Sequence, residues 1–292
     1  MTSILTNTAA NSALQTLSNI NKGLEDTQDR VSSGYKVSKA SDNVAYWSIS
    51  TTMNSDQKAL NSATDALGVG AAKVDTAYAA MESAIDVVNE IKAKLVTATE
   101  TSTDKEQIQL EIDKLQEQLS SIAQGASFSG ENWMVTGDQT DGGTVVDGFI
   151  RSDDGTVKVT SASYDIPTYA LFDDVSGGVG TGGVLNDTMD IDLATITDET
   201  DIAAMLDTVE TALASMTIGG AALGALTTRI DLQTDYSNQL SDAIDEGISR
   251  LVDADMEEES AKLSALQTQQ QLAVQSLSIA NSSSENILTL FQ

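Results

Sequence analysis

The chain has 292 residues, of which 40% are apolar but only 4% aromatic, a balance that suits thin helical seams better than a thick core. It carries 15 basic and 44 acidic side chains, a formal net charge of −29, which argues against nucleic acid and anionic membranes as partners. Because Cys and His are both absent, disulfide, thiolate and imidazole chemistry are excluded, and zinc and copper sites lose their usual ligands. Neither a general secretory signal peptide nor an apolar run of about 18 residues is visible.

The first predicted element is a helix over residues 4–33. Its stripe repeats every three or four positions, as in a heptad pattern, through Ala10, Ala13, Leu17, Ile20, Leu24, Thr27 and Val31. Gly23 weakens this prediction, since mid-helix Gly costs roughly 1 kcal/mol relative to Ala. The pattern stops near Gly34.

Three long helical segments are predicted in the first 125 residues. Residues 34–47 break the period, and within them Ser41, Asp42 and Asn43 supply turn and N-cap chemistry, so that a second helical pattern starts from about Val44. It is loosened around residues 68–70 and continues to about residue 95, and a third stripe covers residues 108–122.

The middle of the chain has a different composition. Residues 125–183 contain 12 of the 20 Gly, the only Pro and three of the four Phe. Two β-rich runs, 145–151 and 156–161, flank a Ser-Asp-Asp-Gly turn and predict a hairpin. The Gly-rich residues 175–185 are predicted to form an exposed loop.

Helical patterns resume near residue 198 and are predicted to break at Gly219-Gly220. Residues 252–292, at the C-terminus, hold the strongest pattern, an a/d spacing of four and three without any Gly or Pro, which predicts one helix about 60 Å long. A thin amphipathic helix of this length needs a partner to bury its stripe. The N-terminal stripe is the economical partner, and the predicted fold class is therefore mostly α, with long antiparallel coiled-coil-like helices from both termini and a small β-containing middle.

Both ends of the chain resemble bacterial flagellin. The N-terminal signature is residues 30–43 (RVSSGYKVSKASDN), followed by Ala45-Tyr46-Trp47 as in flagellins of the alphaproteobacterial type. The C-terminal signature is residues 249–259 (SRLVDADMEEE), 269–271 (QQQ), 277–281 (LSIAN) and 287–291 (ILTLF). The resemblance covers roughly residues 1–130 and 200–292 and is absent from the middle.

This resemblance implies a structural subunit that polymerises into the flagellar filament for swimming, is exported unfolded and adds at the distal tip. The implied architecture has an inner-core D0 helix at each terminus, 1–33 and 252–292. It has an outer D1 domain in two parts, 34–130 and 198–251, and a variable surface region, 131–197. The implied location is extracellular, in the filament.

The partners implied by the resemblance are other copies of the chain, hook-associated and cap proteins, the export apparatus and a flagellin chaperone. Weak recognition by host flagellin receptors is expected, because two positions that carry Arg in recognised flagellins are Val87 and Asn89 here. Polymerisation is expected to depend on ionic strength, given the net charge of −29.

The candidate interface residues fall into two groups. The inner-core seam between subunits is predicted to contain Leu14, Leu17, Ile20, Leu24, Val31, Leu263, Leu266, Gln270, Ala273, Leu277, Ala280, Ile287 and Phe291. The outer-domain contacts are predicted to be Arg30, Tyr46, Trp47 and Arg250, where Tyr46 and Trp47 either anchor helices within a subunit or touch a neighbour.

No cofactor, metal or catalytic residue is predicted. The acids between Asp253 and Glu259 lack the Gly turn of a calcium loop and read as a helix face. An enzyme is disfavoured because nothing adds a nucleophile or a pocket to the paired carboxylates. Two rival functions stay open at this point: a hook-associated junction protein of the same family and an unrelated secreted coiled-coil adhesin.

Overall fold

The computed structural model describes residues 7–100, 103–137, 142–152, 155–193 and 199–289, with side chains described up to residue 282 and not for Glu199. The helices and strands are α1 (Thr8–Ser33), α2 (Val44–Ala98), α3 (Lys105–Gly125), β1 (Ser127–Phe128), β2 (Glu131–Asn132), β3 (Gly143–Arg151), β4 (Val157–Tyr164), α4 (Ile166–Tyr169), α5 (Asn186–Met189), α6 (Glu199–Val252) and α7 (Met256–Thr289). The predicted mostly α fold class, with long terminal helices and a small β-containing middle, is confirmed.

The chain divides into two compact units. Unit 1 comprises Met1–Gln57 and Asp242–Gln292, and unit 2 comprises Lys58–Ser241. These divisions follow the contacts and differ in position from the five predicted domains, whose boundaries stay a prediction.

In unit 1, α1 packs along α7 in the opposite direction. Asn7 contacts Ala280, Asn21 contacts Gln270 and Arg30 contacts Glu259, so the partner number falls as the α1 number rises. α1 ends where predicted, because Gly34 adopts a left-handed φ of 76° and its N–H bonds back to the Arg30 carbonyl at 2.8 Å. The antiparallel pairing of the termini is thus confirmed within one chain.

The prediction of one helix running unbroken from residue 252 was wrong at its first turn. α6 ends at Val252 and α7 begins at Met256, and Asp255 caps the new helix by accepting bonds from the N–H groups of Glu257 (3.0 Å) and Glu258 (3.3 Å). The break needs no Gly or Pro, since a capping carboxylate and an acidic first turn stabilise a new helix N-terminus.

The predicted break at Gly219-Gly220 was also wrong, because α6 continues through both residues. A Cβ at Gly219 would lie 3.1 Å from Tyr169 Cβ and 3.2 Å from Met81 Cε. The missing side chain therefore allows neighbouring segments to approach the helix closely, and this packing outweighs the low helix propensity of Gly.

Unit 2 holds the main hydrophobic core. α2, α3 and α6 contribute its helical side, through residues such as Ile91, Ile112 and Val209. Residues of the middle region complete it, and the largest of its fully buried side chains are Trp133, Met134, Ile166, Leu171, Phe172 and Leu185. The middle region is therefore not only a surface insert, since its own apolar residues close the core of unit 2.

The predicted hairpin is confirmed as an antiparallel β3–β4 pair. Val145 and Ala162 face each other on its buried side, and the register shifts by a bulge between Val146 and Gly148. α6 is long and apolar enough to cross a membrane by length and composition alone, but Met216, Leu223 and Ile230 on it are buried in the protein core.

Candidate subunit interface

The terminal seam is the line along which α1 and α7 meet. On α7, between Met256 and Ser282, the buried or half-buried residues are Glu259, Leu263, Leu266, Gln270, Ala273, Leu277 and Ala280. On α1, the buried or half-buried residues include Ala10, Ala13, Leu17, Ile20, Leu24, Thr27 and Val31. These are the heptad positions of the sequence, so the spacing of apolar residues determines which faces pair.

Among the residues that the structure describes, three side-chain polar contacts cross the seam. The Arg30 guanidinium donates to Glu259 Oε1 at 3.1 Å, Gln270 Nε2 donates to Asn21 Oδ1 at 2.8 Å, and Asn7 Nδ2 donates to the Ala280 carbonyl at 3.0 Å. The Glu259 side chain is only 9% exposed, and within the described part of the chain its Oε2 has no hydrogen-bond donor. The nearest further cation to this oxygen is Lys262 Nζ at 3.9 Å.

A second apolar stripe on α7 lies outside the terminal seam. Ala265, Leu272 and Ile279 are spaced by one heptad and so share a face, and all three are exposed, Leu272 by 59% and Ile279 by 63%. Leu272 also lines a groove of about 620 Å³ between α7 and α1, together with small side chains such as Ala9, Ala13 and Ser276. We call the stripe of Ala265, Leu272 and Ile279 the outer stripe.

Where α1 gives way to α2, the backbone is bonded to the break between α6 and α7. The N–H groups of Lys36 and Val37 donate to the Val252 carbonyl, at 2.6 and 3.2 Å, and the Ala254 N–H donates to the Gly34 carbonyl at 2.9 Å. The two interruptions of the helices are therefore held together, although their residues are more than 200 positions apart in the chain.

The turn before α2 is built as the sequence predicts. Asn43 Oδ1 accepts from the N–H groups of Ala45 and Tyr46, both at 3.1 Å, and so caps α2. The Asp42 carboxylate accepts from the N–H groups of Lys39 (3.0 Å) and Ser38 (3.1 Å). These bonds to the charged form lower the pKa of Asp42 from its usual 3.8.

The Asp42 turn is expected to loosen in acid. Because the folded-state pKa is depressed, the contribution of Asp42 is present above its unfolded pKa of about 3.8 and is lost as pH falls through the lower folded value. An NMR titration of the Asp42 carboxylate should give a midpoint below 3.8. In Asp42→Asn, amide exchange at residues 38–43 should already be fast at neutral pH; equal protection in the two proteins would contradict the assignment.

Most of the remaining predicted contacts lie among the described side chains. Trp47 and Tyr46 are 39% and 41% exposed, and Arg250 pairs with Glu246 at 2.5 Å on the surface of α6. Leu14 is 49% exposed, on α1 but away from the terminal seam. Ile287 belongs to α7, but its side chain is not among those described, and Phe291 lies outside the described residues.

Sequence reasoning missed three participants of this surface, because Asn7, Leu272 and Ile279 were not singled out. Glu259 occupies a predicted heptad position and was also interpreted as one of the acids of a solvated or intersubunit helix face, but its ion-pair partner was not predicted. Leu272 and Ile279 could have been found by searching α7 for a second stripe at seven-residue spacing.

Comparison with known proteins places the chain in a family. Residues 4–138 match the bacterial flagellin N-terminal helical region, and residues 206–291 match the bacterial flagellin C-terminal helical region. The chain is 49% identical to flagellin C and 42% identical to flagellin A of Rhizobium meliloti strain 1021. It is 46% identical to a flagellin of Brucella melitensis biotype 1. Each of these alignments covers 100% of both chains.

A solved structure supports the fold. It is that of a protein named as a flagellar hook-associated protein of Vibrio parahaemolyticus, with a TM-score of 0.53 over 73% of this chain and 100% of that chain. At 12% identity this likeness concerns the fold alone. The matches at both termini and the full-length similarity to rhizobial and Brucella flagellins show that the chain belongs to the bacterial flagellin family, of the alphaproteobacterial type.

Proposed function

We propose that the protein is the structural subunit of a flagellar filament, located outside the cell, and that copies of it pack through their terminal helices. The outer stripe carries this proposal. α1 covers only the terminal seam of α7, which leaves Leu272 and Ile279 more than half exposed. Exposed apolar residues that repeat along one helix face favour a further helix as their cover, and a second copy of the chain supplies one.

The terminal seam itself favours assembly. Leu263, Leu266 and Leu277 remain partly exposed after α1 has packed on α7. Two helices alone bury little of each other's surface, so isolated terminal helices gain limited stability from this packing. Packing of further copies would remove more apolar area from water, at roughly 25 cal/mol per Å².

The faces involved are different in kind, which favours a filament over a closed dimer. One candidate contact surface is the groove between α1 and α7, and another is the exposed pair Tyr46 and Trp47 at the start of α2. Contacts between unlike faces are heterologous, and they generate an open helix when the rotation between copies does not close.

The test of this proposal is salt-induced polymerisation of the purified full-length chain, followed by negative-stain microscopy and sedimentation. Filaments are expected to grow as salt screens the charge of −29 on each subunit. Leu272→Asp places a charge on the outer stripe, and we expect at least a tenfold loss of sedimentable protein.

Ser278→Asp is the matched control. Ser278 is also exposed on α7, but it lies six residues from Leu272 and therefore points away from the outer stripe. This variant should polymerise like the parent chain once salt is adjusted for the added charge. Equal polymerisation of Leu272→Asp and Ser278→Asp would contradict packing through the outer stripe, and a full-length chain that stays monomeric at every salt concentration would contradict the filament function.

The rival functions are less well supported. A hook-associated junction protein is not favoured, because the full-length relatives are named flagellins. The family is structural, which is consistent with a chain that is not an enzyme. An adhesin would use the middle region as a receptor-binding face, but the large residues of that region, such as Trp133 and Phe172, are buried in unit 2.

The finer expectations complete this proposal. The chain would be exported unfolded with a chaperone and would join hook-associated and cap proteins at the filament ends. Weak recognition by host flagellin receptors is proposed because Val87 is buried and Asn89, though exposed, carries no charge. Contacts of Tyr46, Trp47 and Arg250 with neighbouring copies belong to the same proposal, supported by their exposure.

A further inference from the structure

We infer that two polar pairs, Arg30–Glu259 and Asn21–Gln270, set the register of α1 on α7 and thereby select one alignment among those that the heptad pattern allows. We call them the register pairs. They bridge the two ends of one chain, with sequence separations of 229 and 249. The inference concerns contacts within a single chain and does not depend on filament formation.

The apolar part of the terminal seam discriminates poorly between alignments. On α7 its apolar members are Leu263, Leu266, Ala273, Leu277 and Ala280, and those on α1 are similar in size and chemistry. A shift of α7 by one heptad would again place Leu and Ala opposite Leu, Ile and Ala. Apolar packing alone therefore leaves alternative registers close in free energy.

The register pairs discriminate strongly. If α7 moved by seven residues in one direction, Leu266 would replace Glu259 opposite Arg30, and Leu277 would replace Gln270 opposite Asn21. In the other direction Val252, which lies before the start of α7, would stand opposite Arg30, and Leu263 would stand opposite Asn21. Both shifted alignments leave these polar groups facing aliphatic side chains.

Burial makes the loss of the Arg30–Glu259 pair costly. The Glu259 side chain is only 9% exposed, and Arg30 supplies the one hydrogen bond that its carboxylate receives among the described residues. Lys262 lies on the same helix as Glu259, with its Nζ 3.9 Å from Glu259 Oε2, and would move together with Glu259 in any shift of α7. This contact therefore does not favour one alignment over another. A buried carboxylate without its partner is strongly disfavoured, which penalises every register but the native one.

The absence of Cys from the sequence makes disulfide reporters unambiguous. A Cβ on Gly23 would lie 3.7 Å from Leu266 Cδ2, so Gly23→Cys with Leu266→Cys reports the native register. Gly23→Cys with Ala273→Cys reports a slip by one heptad. Each pair is oxidised in the full-length chain, in soluble and sedimented fractions, and intrachain disulfides are quantified by mass spectrometry of the non-reduced peptides.

With both register pairs intact, the native reporter should form at least tenfold more disulfide than the slipped reporter. In a chain with Arg30→Met, Glu259→Met, Asn21→Leu and Gln270→Leu, the two yields should come within threefold of each other. Asn7 is left unchanged, because its side chain also caps α1 by accepting from the Ala10 N–H. A preference for the native reporter that survives all four substitutions would overturn the inference.

Charge reversal provides a second test, which holds even if the fourfold variant does not fold. Arg30→Glu alone should lower the yield of the native reporter at least tenfold, because two carboxylates would then meet. Adding Glu259→Arg should restore most of that yield by recreating the pair with opposite polarity. An undiminished yield in Arg30→Glu would overturn the inference, as would a double reversal no better than the single one.

Discussion

Replacing Arg30 with Met is expected to destabilise the packing of α1 on α7 by about 3 kcal/mol, the lower end of the range for breaking a buried ion pair. The reason lies in the partner, since the Glu259 side chain is 9% exposed and Arg30 supplies the one hydrogen bond that its carboxylate receives among the described residues. The lower end applies because Arg30 is itself 35% exposed and Lys262 lies 3.9 Å from the carboxylate. Hydrogen exchange of α1 amides, measured by mass spectrometry, gives the free energy of local opening.

Arg250→Met is the matched control, because Arg250 and Glu246 also form an ion pair but are 77% and 66% exposed. Its effect should be within about 0.5 kcal/mol of zero, as for most exposed pairs. Combining Arg30→Met with Glu259→Met should recover most of the loss, since no buried charge then remains. Equal effects of Arg30→Met and Arg250→Met would show that burial of Glu259 does not matter.

Gly143→Ala is expected to destabilise unit 2 by about 3 kcal/mol through overpacking. A Cβ at this position would lie 2.4 Å from Trp133 Cε2 and 2.7 Å from Trp133 Cζ2, well inside van der Waals contact. Trp133 cannot easily move aside, because it is 2% exposed and stacks on Tyr164 with ring centroids 5.7 Å apart. Urea unfolding of the full chain, followed by circular dichroism, should show a lower midpoint with an unchanged slope.

Gly68→Ala serves as the control for the same chemical change. Gly68 lies inside α2 and a Cβ there would meet nothing within 4 Å. Because Ala has the higher helix propensity, this variant should be more stable by about 0.5–1 kcal/mol. A Gly143→Ala protein as stable as the parent would mean that Trp133 and β3 can separate without cost.

The terminal helices could be predicted because their pattern is local and repeated. The alternating spacing of four and three identified the buried side of α7 from Glu259 to Ala280 and that of α1 from Ala10 to Val31, and the structure confirms both. The β3–β4 hairpin could be predicted as well, since its two strands and its turn are contiguous in the sequence. That the seam residues also contact other copies stays a prediction.

Features that depend on distant residues could not be predicted. In the sequence Gly219 indicates a helix break, and only the structure shows that Tyr169 and Met81 pack against it. Trp133 and Phe172 lie among Gly-rich sequence, and only the arrival of α2, α3 and α6 buries them. The start of α7 at Met256 is a different case, because the capping residue Asp255 and the three following acids are visible in the sequence, but the prediction of an unbroken helix rested on the absence of Gly and Pro from residues 252–292.

The pairing of α1 with α7 has a consequence for how the protein folds. Its contacts join residues 229, 249 and 273 positions apart, so they have about the highest contact order that a chain of 292 residues permits. Loop closure over such a distance is slow, and local helix formation cannot replace it. Whichever of the two terminal helices, α1 or α7, forms first, it has no partner until the other terminal helix is also present. Unit 2 can therefore fold ahead of unit 1, and a chain interrupted before Met256 lacks the helix with which α1 pairs.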